Sequence, residues 1–424
     1  VKINRQFGSK KRRMPSVQHS KNIRAEGGEE GSLNQRSAKR QRQLEKPHGD
    51  KVLAAKELWN RLRQHSTEKA QKVELVSRIM ILLENKLWEV VARHDASRVV
   101  QACFREGDDG VQAQIVKALK GKFYQLATAQ FGHHLIKCML RHGTDDLRRV
   151  ILLEFKGLVP RLAVHKTGAS ILEIVHQGHQ GRQVVPKSLK FQLLHECFGR
   201  EYIVYTQGKE NCDLGLFFTN APDSKENVLN DIARLLNKII AKGYHRFSFT
   251  HWLLANYFKH APLGDCQAFV SSLTEATLEL ASTPDGMQVL VHCLSIAGAK
   301  DRKKIVKVFR KNSVNIANHE CGHMVLMRAL DVVDDTVLMR KCAVNELASN
   351  ILTLSSNRCG AKVLLQLLAP LSSKYLTPQD LRILTSTQAI NKKDDAQRRR
   401  EHMQTLQPAL IARALCAFQL FRRD

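Results

Sequence analysis

A short pattern returns along this chain at a fixed interval, and that interval restricts the fold more than any other feature. The stretch "HDASRVVQACF" (94–104) comes back in altered form as "QFGHHLIKCML" (130–140). Aligned on the small residue before a double-apolar step, copies stand at Ala96, Gly132, Gly168, Gly286, Gly322 and Gly360, with spacings of 36, 36, 118, 36 and 38. The gap of 118 leaves room for two degenerate units, one of which fits "THWLLANYF" with Thr250 as anchor, 36 before Gly286. Five residues ahead of most anchors stands another small residue: Ala127, Ala163, Ala281, Ala317 and Ser355. Apolar pairs follow each anchor at three and four, then at seven and eight, so one helical face recurs.

That recurring face has a physical consequence. Pairs such as Leu135/Ile136 and Met139/Leu140 form a stripe that one unit cannot bury alone, so units must stack into a solenoid with a continuous core. The small residue five back should let neighbouring helices approach closely. The anchor glycine should give the chain freedom to enter the next helix from a tight turn. Helical spacing also fills "KVLAAKELWNRLRQ" and "KVELVSRIMILLENKLWEVVARH", while strand-like alternation is nearly absent. The expected class is all-α.

The chain has 424 residues, 43% of them apolar, enough for one long array. Its formal net charge of +27 favours a polyanionic partner, nucleic acid first and acidic membrane second. No run approaches the roughly 18 apolar residues of a membrane span. The opening "VKINRQFGSKKRRMP" has no apolar stretch after its basic part, so a secretory signal is not expected there. The missing initiating Met leads us to expect a chain trimmed relative to its gene product. Ten cysteines are scattered without a C-x-x-C pair. Cys103, Cys138 and Cys293 fall at apolar helical positions, which suits reduced, buried thiols in an intracellular compartment. Cys321 and His323, one residue apart, are too few to make a metal site, and no metal or cofactor is expected.

Residues 1–50 are a different material, with thirteen Lys/Arg against five Asp/Glu and few apolar residues. Such a tail should be disordered when free, or held on RNA. Within it, "KKRR" (10–13) and "RSAKRQRQLEKP" (36–47) look like nuclear-localisation or RNA-binding arms; a solvated charged tail is the plain alternative. The expected divisions are this tail, a first repeat block at 51–184, an irregular junction at 185–245 and a second block at 246–424.

A 36-residue α-repeat with "SRVVQ" in its second helix resembles the pumilio-homology (PUF) repeat. The helices "AAKELWNRLRQ" and "HDASRVVQ", with the late charged segment "NKKDDAQRRREHMQTLQPAL" (391–410), resemble the divergent Puf-A branch, also called Penguin. The likeness runs over about 51–424 and is loose between 185 and 245, where "EYIVYTQGKENCDLGLFFTN" breaks the pattern. It implies an α-solenoid of about ten to eleven pumilio-type three-helix repeats in two blocks set at an angle. It further implies a nuclear and nucleolar factor of large-subunit ribosome biogenesis. The partners implied are structured RNA (pre-rRNA or rRNA) or DNA, held with little sequence preference, and ribosomal proteins or assembly factors. A monomer within a large ribonucleoprotein follows, with no membrane partner.

In such repeats one base is read by a few side chains of one helix. Ser97 and Gln101, four apart, share a helical face and could point together at a base edge. Arg98 would then stack between neighbouring bases, and by the resemblance this trio reads adenine. The plain alternative is a solvated Arg and Gln on an exposed face. The matching trios are His133, His134, Lys137; Ala169, Ser170, Glu173; His251, Trp252, Ala255; Met287, Gln288, Val291; His323, Met324, Met327; and Ala361, Lys362, Leu365. Only the first unit carries a complete reader, so affinity should come from phosphate contacts instead. The candidate RNA-binding residues are Ser97, Arg98, Gln101, Arg93, His133, His134, Lys137, Arg141 and Lys166, with further basic clusters at 301–312 and 392–400.

No Gly-rich phosphate loop, H-E-x-x-H or G-x-S-x-G is present, so neither catalysis nor a catalytic residue is expected. Three readings result: a non-specific RNA-binding assembly factor, a sequence-specific mRNA repressor, and a helical scaffold for protein partners.

Overall fold

The predicted periodicity becomes helices throughout the computed structural model, which describes residues 41–179, 182–207, 209 and 212–421. The run at 10–13 and the first half of the 36–47 motif lie outside the described residues. Among the described residues there is no strand, only an isolated bridge between His179 and Arg182. Order begins earlier than residue 51: residues 41–44 are helical, and the first full helix, α1 (Gly49–Leu62), follows.

Each unit has an outer helix, a short middle helix and an inner helix. The first comprises α2 (Lys69–Leu82), α3 (Leu87–Val91) and α4 (His94–Glu106). The second comprises α5 (Asp109–Leu119), α6 (Phe123–Thr128) and α7 (Gly132–His142). The third comprises α8 (Asp145–Leu153), α9 (Val159–Ala163) and α10 (Ala169–Gln177). A junction holds α11 (Lys187–Leu194), a 3-10 turn (His195–Phe198), α12 (Arg200–Thr206) and α13 (Leu214–Asn220). The array resumes with α14 (Lys225–Ala241), a 3-10 turn (Tyr244–Arg246) and α15 (Ser248–His260). Next come α16 (Leu263–Leu273), α17 (Thr277–Leu280) and α18 (Pro284–Ile296), then α19 (Ala299–Phe309), α20 (Ser313–Ala317) and α21 (Gly322–Val332). The last unit runs through α22 (Thr336–Met339), a π-turn (Arg340–Val344), α23 (Asn345–Ser349), α24 (Ile351–Ser355) and α25 (Arg358–Leu368). Two helices follow, α26 (Pro378–Leu384) and α27 (Asp395–Phe421).

Inner helices pack in an unbroken row, α1–α4–α7–α10–α15–α18–α21–α25. The row passes directly from α10 to α15, so only one of the two degenerate units expected in the 118-residue gap supplies an inner helix. Among the described residues, seven inner helices belong to complete units; the expected ten to eleven is approached only by counting the junction and the helices at both ends. The recurring stripe is the core: Leu135, Ile136, Met139 and Leu140 are fully buried, as are Ala127 and Ala163 of the middle helices.

The anchor glycines serve a purpose other than the one expected. None has a left-handed φ. A Cβ on Gly132 would lie 2.8 Å from the Leu126 carbonyl oxygen, on Gly168 2.8 Å from that of Leu162, and on Gly286 2.3 Å from that of Leu280. The inner helices with a glycine anchor therefore start pressed against the carbonyl six residues back, and close approach, not freedom, selects glycine there.

Side-chain caps fix several helix starts. Asp108 Oδ1 accepts from Val111 N at 2.8 Å, and Asn357 Oδ1 accepts from Cys359 N at 2.8 Å and Gly360 N at 3.1 Å. Carboxylates tie consecutive units. Glu154 accepts from Gly121 N at 2.5 Å and Phe123 N at 3.1 Å; Glu196 accepts from Gly157 N at 2.7 Å and Val159 N at 3.2 Å. The same contact in the junction marks α11 and its 3-10 turn as a displaced outer helix. Cysteines are free among the described residues, and burial pushes the Cys103 thiol up to about 12.

The C-terminal segment is clamped onto the last units. Arg302 donates to the carbonyls of Leu294, Val332 and Ser295, each at 2.9 Å. Arg328 donates to Ser295 Oγ at 2.8 Å and to the Thr387 carbonyl at 2.6 Å. The buried Arg398 of α27 meets Asp334 at 2.9 Å.

Candidate nucleic-acid interface

The inner row changes character along its length. On the first unit, Arg98 is exposed with its guanidinium 5.7 Å from the centre of the Trp59 ring of α1, a cation–π contact. Gln101 is half-buried and its Nε2 donates to Ser97 Oγ at 3.0 Å. Ser97 sits elsewhere than expected. It is 1% exposed, and its hydroxyl donates to the Phe131 carbonyl of the next unit at 3.1 Å. The expected pair at a base edge is thus an internal tie between units, because the small side chain fits where α4 meets the loop before α7. Arg93, one residue before α4, is half-buried and donates from Nη2 to the Pro47 carbonyl at 2.5 Å. With Gln43 Nε2 donating to Asp95 Oδ2 at 2.7 Å, it fastens the residues before α1 to the first unit.

The inner helix of the second unit carries His133, His134, Lys137 and Arg141. His133 Nδ1 donates to the Ala129 carbonyl at 3.1 Å, which orients the ring 3.9 Å from that of His134. His134 and Arg141 are exposed and Lys137 is half-buried. Burial is the main cause lowering both imidazoles and the Lys137 ammonium below their usual ranges. Like charge adds to it: Lys137 faces Arg141 and Arg246, and His134 faces His94, Lys137 and Arg141. On the third unit Lys166 is exposed in the loop before α10. Ser170 Oγ donates to the Thr167 carbonyl, and Glu173 accepts from Ser248 N at 2.7 Å and Ser248 Oγ at 3.1 Å. Ser170 and Glu173 are therefore spent within the fold.

Several neighbours escaped the sequence reading. His142, lowered first by burial, faces Arg105, His179, Arg141 and Arg148, and Arg246 reaches the surface beside Lys137. Arg105 could have been found, since it stands nine residues after its anchor, one turn beyond the trio, the same step that gave Arg141. Arg105 is partly neutralised by Glu106 at 2.9 Å. His179 and Arg246 come from irregular segments, where the repeat gives no register.

From α15 onward the equivalent positions are closed. His251 is 1% exposed, bonded to Thr283 Oγ1 and the His245 carbonyl, both at 2.7 Å. Trp252 stacks on Phe198 and His195 of the junction, with ring centres 5.0 and 6.1 Å apart. Met287, Val291, His323, Met324 and Met327 are buried, and Lys362 pairs with Asp380 of α26 at 2.5 Å. Helices α26 and α27 lie against α21, while Gln288 stays exposed. Among the described residues, no cluster of three or more His, Cys, Asp or Glu could hold a metal, and no helix is long and apolar enough to cross a membrane. The arrangement can grip phosphates on the first three units, but it presents no run of base-edge readers.

The sequence matches the Pumilio-family RNA binding repeat at residues 96–120 and 122–155, and the CPL (NUC119) domain at 356–418. Pumilio homolog 3 of Rattus norvegicus is 31% identical over 223 residues, which is 52% of this chain and 34% of that protein. Pumilio homology domain family member 6 of Saccharomyces cerevisiae is 29% identical over 325 residues, 75% of this chain and 48% of that protein. The chain thus spans between a third and a half of the length of these relatives. The crystal structure of human Puf-A superposes with a TM-score of 0.79 at 26% identity, covering 87% of this chain and 72% of that one. The crystal structure of human Puf-A in complex with DNA gives 0.78 at 26% identity, covering 88% and 74%. With its 36-residue helical units and continuous inner row, the chain belongs among the divergent pumilio-repeat (PUF) proteins.

Proposed function

We propose that this protein binds structured RNA through its phosphates, on the inner face of the first three units, with little sequence preference. It acts in the nucleus and nucleolus as an assembly factor for the large ribosomal subunit. One observation carries the reading: the inner face is open and cationic on α4 and α7 and at Lys166 in the loop before α10, and largely closed by the protein's own side chains from α15 onward. A net charge of +27 supplies the affinity that absent base contacts cannot. Human Puf-A in complex with DNA supports it, because binding DNA does not depend on a ribose 2′-hydroxyl. The resemblance to the Puf-A branch supports the ribosomal role.

Affinities for random and adenine-containing RNAs at several salt concentrations test the binding mode. Similar affinities with a steep salt slope are expected. A preference of about tenfold or more for one short motif would favour an mRNA repressor, and no RNA binding would favour a protein scaffold. Lys137→Glu with Arg141→Glu should weaken binding more than Arg98→Ala with Gln101→Ala; the reverse ranking overturns phosphate gripping. Crosslinking in cells, followed by sequencing of the attached RNA, should recover pre-ribosomal RNA. Reads confined to messenger RNA would remove the assembly role.

A further inference from the structure

The inner face accounts for only part of the basic surface. On α19, an outer helix of the second block, Lys300, Lys303, Lys304 and Lys307 are exposed, followed by the exposed Arg310 and Lys311. Their steps of three and four residues align them on one side of the helix. Arg302, Ile305, Val306 and Phe309 on the other side are buried. The helix thus separates two kinds of cation: Arg302 is spent on carbonyls within the fold, while the stripe looks away from the core and from the inner row. The π-turn Arg340–Val344 packs alongside and adds the exposed Arg340 and Lys341.

Few carboxylates answer this charge. Asp301 pairs with Lys304 at 3.2 Å and accepts from Ser271 Oγ at 2.9 Å. Glu346 is taken by Ser313 Oγ at 3.1 Å, and the segments that carry the exposed Glu275 and Glu279 pack against α19. Among the described residues, none of Lys300, Lys303, Lys307, Arg310, Lys311, Arg340 and Lys341 has an ion-pair partner within 4.0 Å. Like charges at these spacings repel, and a polyanion laid along the stripe relieves them.

The chemistry of the patch selects the polyanion. Neither α19 nor the π-turn exposes an aromatic side chain, so there is no platform for stacking the bases of a single strand. No large apolar side chain stands out from α19 either, as insertion into an anionic bilayer would need. What remains is recognition by phosphates alone, over about 16 Å of helix at about 1.5 Å per residue, which suits a duplex backbone. We infer that this outer face binds duplex RNA through its phosphates, so that one molecule holds two duplex segments, one on each side of the solenoid. The inference depends on the proposed function only for the inner segment.

The test uses the full chain and two unrelated RNA hairpins with stems of about 16 base pairs, one carrying a fluorescence donor and the other an acceptor. The wild type should bring them together, with energy transfer that fades as salt rises. Lys300→Glu/Lys303→Glu/Lys307→Glu/Lys341→Glu should still bind one hairpin but lower transfer about tenfold, since four phosphate contacts become repulsions. Circular dichroism and melting should match the wild type, because all four side chains are exposed. Lys137→Glu with Arg141→Glu should also abolish transfer while the outer face keeps one hairpin. If that inner variant loses all binding and the outer variant changes nothing, the outer site is overturned and the inner reading stands. If only the outer variant loses binding, the inner reading falls. Tighter binding of a single strand than of the hairpin, or recruitment of phosphatidylserine vesicles in its place, overturns the duplex assignment.

Discussion

Residues that look alike in the sequence do different physical work in the fold. Ser97 and Gln101 have the types and spacing of a base reader, yet Ser97 joins two units through the Phe131 carbonyl. Anchor glycines illustrate the same point. Gly→Ala inside a helix ordinarily stabilises by roughly 1 kcal/mol. At Gly286 the added Cβ would meet the Leu280 carbonyl oxygen at 2.3 Å, and overpacking of that kind costs about 1–3 kcal/mol. Gly286→Ala should therefore lower stability in denaturant titrations. Gly264→Ala, where nothing lies within 4 Å, should leave it unchanged or raise it. Equal effects at the two sites would rule out close approach as the reason for the anchor.

Elements join through contacts that the repeat pattern only half announces. The three- and four-residue spacing located the inner helices, and "THWLLANYF" correctly marked α15 as one of them. The rest of the 118-residue gap was opaque because helices α11–α13 pack on one another and on neighbouring units, outside the repeating register. Glu196 shows how they attach: its carboxylate satisfies two N–H groups at the start of α9, and burial raises its pKa above the usual range. Glu196→Ala strands both donors and should cost about 1–3 kcal/mol, the range for an unsatisfied buried group. Amide exchange should quicken first at Gly157 and Val159. Exchange unchanged there would show that the tie is dispensable.

At the scale of the whole molecule, buried imidazoles set the response to acid. Burial is the first cause lowering His176 to about 3 and His195, His251 and His402 to about 4. Unfolded, these rings take up protons near pH 6.5. Their contribution to stability is therefore complete above about 6.5 and is lost as pH falls toward 4. Asp331, raised to about 6 by burial, works in the opposite sense over the same range, as do Glu173, Glu196 and Asp285, also raised by burial. The lowered imidazoles, which include His260, His292 and His323, outnumber these carboxyls. The melting temperature should fall steeply between about pH 6.5 and 4; a flat profile would contradict the neutral buried rings.

Taken by itself, the sequence settled the class and the period, and its net charge favoured a polyanionic partner. Helical spacing, a fixed 36-residue interval and net charge are properties of the chain that survive whatever it packs against. It also placed Arg98, His134, Lys137, Arg141 and Lys166, whose positions follow from the register, on the accessible side of the first units. Only the tertiary structure decided which reading positions stay open. Trp252 is covered by Phe198, fifty-four residues away in the chain, and Lys362 by Asp380 of a helix that follows the last unit. Closure of this kind depends on where distant segments dock, and a local period carries no information about that.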